Sequence, residues 1–395
     1  QKTERVLSPV VSKTAGTRSE AMDAARSPRR LRGHSSTATC CIASRDRPNI
    51  VSTAGEDGCV CLFDLRCKDV QLVIKLGFDA ISSLCFKQGN ENMIYAASGS
   101  EIKCVDLQMP TFEKPMESYA YNMEEINQIS CNSKSSFLAA ADDSGVVKII
   151  DIQQCRPFKT LRSGHANICS SVQFLPWKPW TVVSGGLDSK MIMWDFSKGR
   201  PFLVADFGNM ENGGTPGQCY NPAFIHAIAV PEMDMLSKVG TACAVARGDG
   251  VVSLVNLESE LDAIKSKPAT KGRKNFETKS KNTTAGADAG NLNQNVGKWL
   301  HLDHGLGGHT AAASCVTFSS FGERGKFIIS GGNDKAVKVW DWSRSVDDTL
   351  TCVGTDVAFS ISVQKKVNGL CTTPADSENL LVCDTSKVVK VYTIS

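Results

Sequence analysis

The chain has 395 residues, of which 42% are hydrophobic and 22% are charged, a balance typical of soluble globular proteins. Its net charge of +3 is too small to indicate a nucleic-acid or membrane partner by itself. No apolar run approaches the roughly 20 residues that a membrane span requires, so no membrane association is predicted.

The N-terminal stretch is polar and lacks the apolar core of a signal peptide. Residues 1–23 are predicted to form a disordered extension. Met22 is a candidate native start, and residues 1–21 are interpreted as either disordered or non-native. Most of the sixteen cysteines lie singly in alternating apolar stretches, and no CxxC pair occurs. This usage argues against a disulfide framework or a zinc site and favours a reducing compartment, the nucleus or the cytoplasm.

Three segments share one layout. Each opens with Gly-His and closes with an aromatic residue followed by Asp. A turn Asp lies six residues before the aromatic, and a Ser or Thr lies four residues before that Asp. The segments open at His34, His165 and His309 and close at Phe63, Trp194 and Trp340. A repeat of this kind predicts a four-stranded blade of about 40–45 residues.

Four further segments show period-2 alternation and turn residues without Gly-His, over 81–106, 126–151, 225–256 and 367–392. The sequence therefore predicts an all-β fold, a single seven-bladed propeller over residues 24–395. The last blade has only three strands at the C-terminus. Its fourth strand is predicted around Arg29–Arg32, so that an N-terminal strand closes the ring and removes an exposed sheet edge.

Two stretches interrupt the repeats. Residues 259–296 are polar and basic and show no periodicity, so they are predicted to be a disordered insertion between blades 5 and 6. This insertion is interpreted either as a solvated loop or as an import signal or nucleic-acid-contacting arm. A shorter Gly-rich stretch, Asn209–Pro222, is predicted to be a flexible loop.

The repeat layout resembles the WD-repeat family. In that family the histidine, hydroxyl, carboxylate and indole form a hydrogen-bonded relay across each blade. The resemblance implies that the histidines are structural hydrogen-bonding groups in a buried network, and not metal ligands or general bases. The relay residues so assigned are His34, Thr53 and Asp57; His165, Ser184, Asp188 and Trp194; and His309, Ser330, Asp334 and Trp340.

Residues 120–230 resemble one branch of this family more closely, notably over Gly164–Phe174 and Gly186–Trp194. Proteins of that branch are grouped with candidate substrate receptors of the cullin-4 ubiquitin ligase, which dock on the adaptor damaged-DNA-binding protein 1. Such receptors carry a box that closes with Trp-Asp-x-Arg. The resemblance implies adaptor docking through Arg66 on the bottom of the propeller, although Phe replaces Trp in this box. The matching residues are Phe63, Asp64 and Arg66.

A second candidate contact is the Pro-bounded loop that carries Trp177 and Trp180, which is expected on the same face as Arg66. The alternative interpretation of this loop is packing of one Trp against the blade edge. No nucleophile elbow, phosphate-binding loop, dinucleotide fingerprint or zinc-protease motif occurs, so neither an enzyme nor a cofactor is predicted.

Two functional hypotheses remain at this point. The first is a substrate receptor of a cullin-4 ligase, a monomeric propeller within a larger complex. The second is a nuclear scaffold, linked to chromatin or RNA through the basic arm Lys265–Lys281 and unrelated to ubiquitination.

Overall fold

The computed structural model describes residues 27–108, 116–209, 219–265, 299–342 and 357–394. These residues form seven four-stranded antiparallel sheets, which contact one another in a ring through their first strands. The predicted seven-bladed β-propeller is therefore confirmed. The strands are β1 (Arg29–Arg32), β2 (Ala38–Ala43), β3 (Ile50–Gly55), β4 (Cys59–Asp64), β5 (Val70–Lys75), β6 (Ile81–Phe86), β7 (Met93–Ser98), β8 (Glu101–Asp106), β9 (Glu117–Tyr119), β10 (Ile126–Cys131), β11 (Phe137–Asp142), β12 (Val147–Asp151), β13 (Arg156–Leu161), β14 (Cys169–Phe174), β15 (Thr181–Gly186), β16 (Lys190–Asp195), β17 (Arg200–Asp206), β18 (Ile225–Ala229), β19 (Ala242–Arg247), β20 (Val252–Asn256), β21 (Leu300–Leu302), β22 (Ala313–Phe318), β23 (Phe327–Gly332), β24 (Ala336–Asp341), β25 (Val357–Ser362), β26 (Val367–Thr372), β27 (Leu380–Asp384) and β28 (Val388–Tyr392).

Blades 1 to 6 each take four consecutive strands, beginning with β2, and blade 7 consists of β26, β27, β28 and β1. Within a blade the second strand is the most buried. In blade 4 the second strand β15 is buried at every residue and the first strand β14 has two half-buried residues, whereas the outermost strand of blade 6, β25, alternates between half-buried and exposed. The apolar side chains of neighbouring sheets interlock to form the core, in which Trp194 and Trp340 are fully buried.

The predicted closure of the ring by an N-terminal strand is confirmed. β1 pairs antiparallel with β28, with Arg29 opposite Val391 and Arg32 opposite Val388. Leu31 is buried in an apolar cluster that also contains Phe63 of blade 1. The closing strand therefore completes blade 7 and contributes to the core between the last and first blades.

Hydrogen bonds between blades run around the central channel. The first strand of every blade has a bulge after its first residue. In six blades the side chain at the bulge donates to the first carbonyl of the next blade's inner strand; Asn368, for example, donates to Ala38 O at 3.1 Å and so bonds blade 7 to blade 1. The other five donors are Thr39, Ser82, Asn127, Ser170 and Ser314.

The loops between first and second strands and between third and fourth strands lie on one face of the ring, here called the bottom face. A cavity of about 1160 Å³ occupies the central channel and opens on this face between the first–second loops. At its mouth Glu232 of blade 5 pairs with Arg45 of blade 1 at 2.8 Å and with Arg324 of blade 6 at 2.5 Å.

The insertion predicted over residues 259–296 begins as a helix, so that prediction was wrong for residues 259–265. Helix α2 (Leu257–Lys265) follows β20 directly, and Asn256 Oδ1 accepts from the amides of Glu258 and Ser259, both at 3.1 Å. Leu257 and Leu261, four residues apart, are buried. Residues 266–298, the predicted extension 1–23 and loop residues 210–218 lie outside the described residues. A second helix, α1 (Leu236–Val239), precedes β19, and neither described helix could cross a membrane.

Candidate functional site

The relay of blade 4 is a continuous chain of buried polar groups. His165 Nδ1 lies 2.9 Å from Asp188 Oδ1, and His165 Nε2 lies 2.8 Å from Ser184 Oγ. Trp194 Nε1 donates to the same hydroxyl at 2.8 Å. A neutral imidazole that carries its proton on Nδ1 satisfies every member, since the indole can only donate and the carboxylate can only accept.

The turn carboxylate of blade 4 is held as an anion. Burial acts to raise the pKa of Asp188, but hydrogen bonds from His165 and from the Ala166 amide outweigh burial and lower that pKa. The ionised carboxylate therefore fixes both the histidine ring and the backbone that follows it.

Blades 6 and 1 repeat this geometry. In blade 6 the distances from His309 are 3.0 Å to Asp334 and 2.8 Å to Ser330, and Trp340 donates to Ser330 at 3.1 Å. In blade 1 the corresponding distances are His34 Nδ1 to Asp57 Oδ1, 3.1 Å, and His34 Nε2 to Thr53 Oγ1, 2.8 Å. Blade 1 lacks the indole donor because Phe63 replaces Trp.

The relay histidines are shielded from solvent. The side chains of His165 and His309 are 0% exposed and that of His34 is 1% exposed. A fourth histidine, His301, contacts Ser253 Oγ at 2.9 Å inside blade 5. Within the described parts of the chain, no group of three or more His, Cys, Asp or Glu side chains is arranged to hold a metal ion.

The loop after β4 presents Arg66 on the bottom face. The Arg66 side chain is 71% exposed and forms a fork-like pair with Asp64, with Nε to Oδ1 at 2.9 Å and Nη2 to Oδ2 at 2.6 Å. The hydrogen bond from Arg66 lowers the pKa of Asp64. Phe63 and Leu65, the neighbours of Asp64 along the chain, are buried. Side chains alternate in direction along this segment, so Asp64 and Arg66 point outwards.

This loop is also tied to the closing strand. Arg29 donates to the carbonyl oxygens of Leu65 and Cys67 and pairs with Glu378 of blade 7 at 2.7 Å. Sequence reasoning missed Arg29 as a positioning residue because its partners lie 36 and 349 residues away along the chain. The loop is consequently held from two blades at once.

The two tryptophans of the blade 4 loop have different environments. Trp177 is partly buried against the apolar cluster between blades 4 and 5. Trp180 is 48% exposed and packs on Phe137 and Phe196, at ring-centroid distances of 5.7 and 5.3 Å. Both lie on the same face as Arg66, but Trp180 alone of the two presents a large apolar surface to solvent.

Comparison with known proteins agrees with this architecture. A family model described as "WD domain, G-beta repeat" matches residues 26–64, 155–195 and 301–341, the segments that contain the three relays. The chain is 28% identical over 248 residues to WD repeat-containing protein 53 homolog of Dictyostelium discoideum, over 58% of this chain and 65% of that protein.

Two other relatives match shorter stretches. Protein NEDD1 of Homo sapiens is 25% identical over 42% of this chain and 25% of its own length. Ribosome biogenesis protein YTM1 of Meyerozyma guilliermondii is 26% identical over 40% of this chain and 34% of its own length. The chain thus spans less than two thirds of the length of each of these three relatives.

Proposed function

We propose that this β-propeller, whose relay blades match the WD-repeat family model, is a protein-interaction scaffold and, more specifically, a non-enzymatic substrate receptor of a cullin-4 ubiquitin ligase. In this proposal the bottom face docks on the adaptor damaged-DNA-binding protein 1 through Phe63, Asp64 and Arg66. The receptor acts in the nucleus or the cytoplasm, as a monomeric propeller within the larger ligase complex.

The observation that carries the docking proposal is the exposed Arg66–Asp64 pair on an immobilised loop. A guanidinium that is already oriented loses little conformational freedom when it meets a carboxylate or carbonyl of a partner. Arg29 supports the loop from behind, through the carbonyls on both sides of Arg66. Phe63 contributes indirectly, because its buried ring anchors the end of β4.

The test is the affinity of the full chain for purified damaged-DNA-binding protein 1, measured by calorimetry. Arg66→Ala is expected to weaken binding at least about tenfold, as truncation of an arginine hot spot does. Lys198→Ala is the matched control, because Lys198 follows the third strand of blade 4, is 74% exposed and pairs with Asp195. Equal affinity of the Arg66→Ala variant and the unmodified chain would refute adaptor docking and leave the scaffold class intact.

The second hypothesis, a chromatin- or RNA-linked scaffold, depends on the basic arm Lys265–Lys281. Apart from Lys265 at the end of α2, that arm lies outside the described residues, so no geometry favours it here. Neutralising the arm's lysines and arginines tests it directly, with nuclear localisation and salt-dependent RNA binding as the readouts.

A further inference from the structure

A cluster of four aromatic rings lies on the bottom face between blades 3 and 4. Phe137 contacts Phe158, Trp180 and Phe196 at centroid distances of 4.9, 5.7 and 5.5 Å, and Phe158 lies 6.1 Å from Trp180. Phe196 is buried, whereas Phe158 and Trp180 are 36% and 48% exposed. The cluster therefore has a buried base and an exposed apolar surface formed by two neighbouring blades.

Local backbone geometry holds the two exposed rings in place. Along the edge of blade 3, Lys159 is opposite Ile149 and Pro157 is opposite Ile150, which leaves Phe158 as the extra residue of a bulge. Trp180 has a φ of 63°, a conformation uncommon for residues other than glycine, and its carbonyl accepts from the Phe196 amide at 2.9 Å. Solvent-exposed rings fixed in this way are typical of contact sites.

Basic residues outnumber acidic ones around the rings. Two acidic residues lie among the basic ones: Asp195 pairs with Lys198 at 3.3 Å, and Asp151 accepts a hydrogen bond from the Gln154 amide at 3.0 Å. The stem of Lys159 packs against Gly199, which places the cations of blades 3 and 4 side by side. The basic residues on this part of the surface are Lys134, Arg156, Lys159, Lys178, Lys198 and Arg200.

The cluster also forms one end of the cavity in the central channel. Phe137, Trp180 and Phe196 line that cavity together with Lys134 and Lys178. An extended segment seated on the rings therefore has room to continue past Lys134 and Lys178 into the cavity, whose charged lining beyond them is mixed.

We propose that this aromatic–basic cleft binds an acidic peptide segment of a partner protein. One bulky apolar side chain of the segment packs on Phe158 and Trp180, and the carboxylates beside it meet the surrounding lysines and arginines. The inference rests on the scaffold function but not on adaptor docking, since Arg66 belongs to blade 1. A single-stranded nucleic acid fits less well, because the rings touch one another and form one continuous patch, whereas successive bases need separate stacking platforms.

The experiment begins with a random-peptide display library selected on the full chain. Enriched peptides are expected to combine an aromatic or leucine residue with neighbouring Asp or Glu. The best of them, labelled with fluorescein, is then titrated by anisotropy. Trp180→Ala and the double variant Lys159→Glu/Arg200→Glu should each weaken binding at least about tenfold, and added salt should weaken it as well.

The matched control is Phe78→Ser with Lys75→Glu, which removes another exposed Phe–Lys contact, of 4.7 Å, away from the cleft. Phe158→Ser provides a second cleft variant should Trp180→Ala unfold, as judged by circular dichroism. Peptides without acidic residues, or binding that survives all cleft variants, would overturn the proposal. Tighter binding of oligo-dT than of the peptide at this cleft would overturn it too. If the cleft variants still bind damaged-DNA-binding protein 1, the cleft is separate from the adaptor site, and failure of one proposal can be told apart from failure of the other.

Discussion

Blades 1, 4 and 6 contain the relay, and blades 2, 3, 5 and 7 do not. The two groups place different side chains at the end of the second strand. In the three relay blades the second strand ends in glycine, and the relay histidine fills the room beside it. A methyl group at Gly186 would lie 2.6 Å from His165 Nδ1 and 2.8 Å from Asp188 Oδ1. Gly55 and Gly332 have the same relation to His34 and His309.

The other four blades have no histidine at that place, and their second strands end in Ser98, Asp142, Arg247 and Asp384. Three of these side chains find polar partners. Asp142 accepts from Asn122 at 2.8 Å, Arg247 donates to Ser253 at 3.1 Å, and Asp384 pairs with Lys390. Three of the four blades without the signature therefore keep a polar pair at this position, with a partner from the third strand in blades 5 and 7 and from the loop before β10 in blade 3.

The largest effect is expected in blade 7. Lys390→Met leaves Asp384, which is 0% exposed, as an uncompensated buried charge. The free energy of unfolding from denaturant titration should fall by about 3–5 kcal/mol. The double variant Asp384→Ala/Lys390→Met should recover most of that loss, because no charge is left buried. A single variant as stable as the unmodified chain would show that the pair does not replace a relay.

A smaller loss is expected in blade 4. His165→Ala removes the partner of Ser184 and of Asp188 and opens a gap beside Trp194, which should cost roughly 2–4 kcal/mol. His304→Ala is the control, since His304 is exposed, and it should change stability by less than about 0.5 kcal/mol. Equal effects of the two substitutions, measured by denaturant unfolding, would contradict a structural role for the relay.

The smallest contrast lies at the end of the second strand. Gly186→Ala should cost about 1–3 kcal/mol through overpacking, chiefly against His165 and also against Asp188 and the Ile168 carbonyl. Ser98→Ala, at the equivalent position of blade 2, should be neutral or stabilising, because the buried Ser98 hydroxyl has no hydrogen-bond partner among the described residues. Thermal unfolding of both variants decides whether the position is constrained only where a histidine is present.

The sequence was sufficient for the features that repeat. The Gly-His, turn Asp and aromatic spacing predicted the relay blades, and the missing last strand predicted the pairing of Arg29–Arg32 with β28. Helix α2 was missed because its apolar signal, Leu257, Leu261 and Ile264 at helical spacing, spans only two turns and is followed by a long polar and basic stretch.

The unpredicted contacts join residues that no local pattern connects. The Lys390–Asp384 pair depends on the register of two strands, and the contact of Phe158 with Trp180 depends on how two blades pack. The Trp177–Trp180 loop was visible in the sequence as a candidate contact. The phenylalanine that completes its surface was not, because it belongs to another repeat.

The most direct test of the histidine–glycine relation is a double-mutant cycle between Gly186→Ala and His165→Ala, followed by denaturant unfolding. The added methyl group should cost at least about 1 kcal/mol more when His165 is present than when Ala replaces it. Part of the cost should remain in both backgrounds, because the methyl group would also lie 2.8 Å from Asp188 Oδ1 and 2.9 Å from the Ile168 carbonyl oxygen. If Gly186→Ala costs the same in both backgrounds, the glycine does not make room for the histidine, and the distinction between the two classes of blade is wrong.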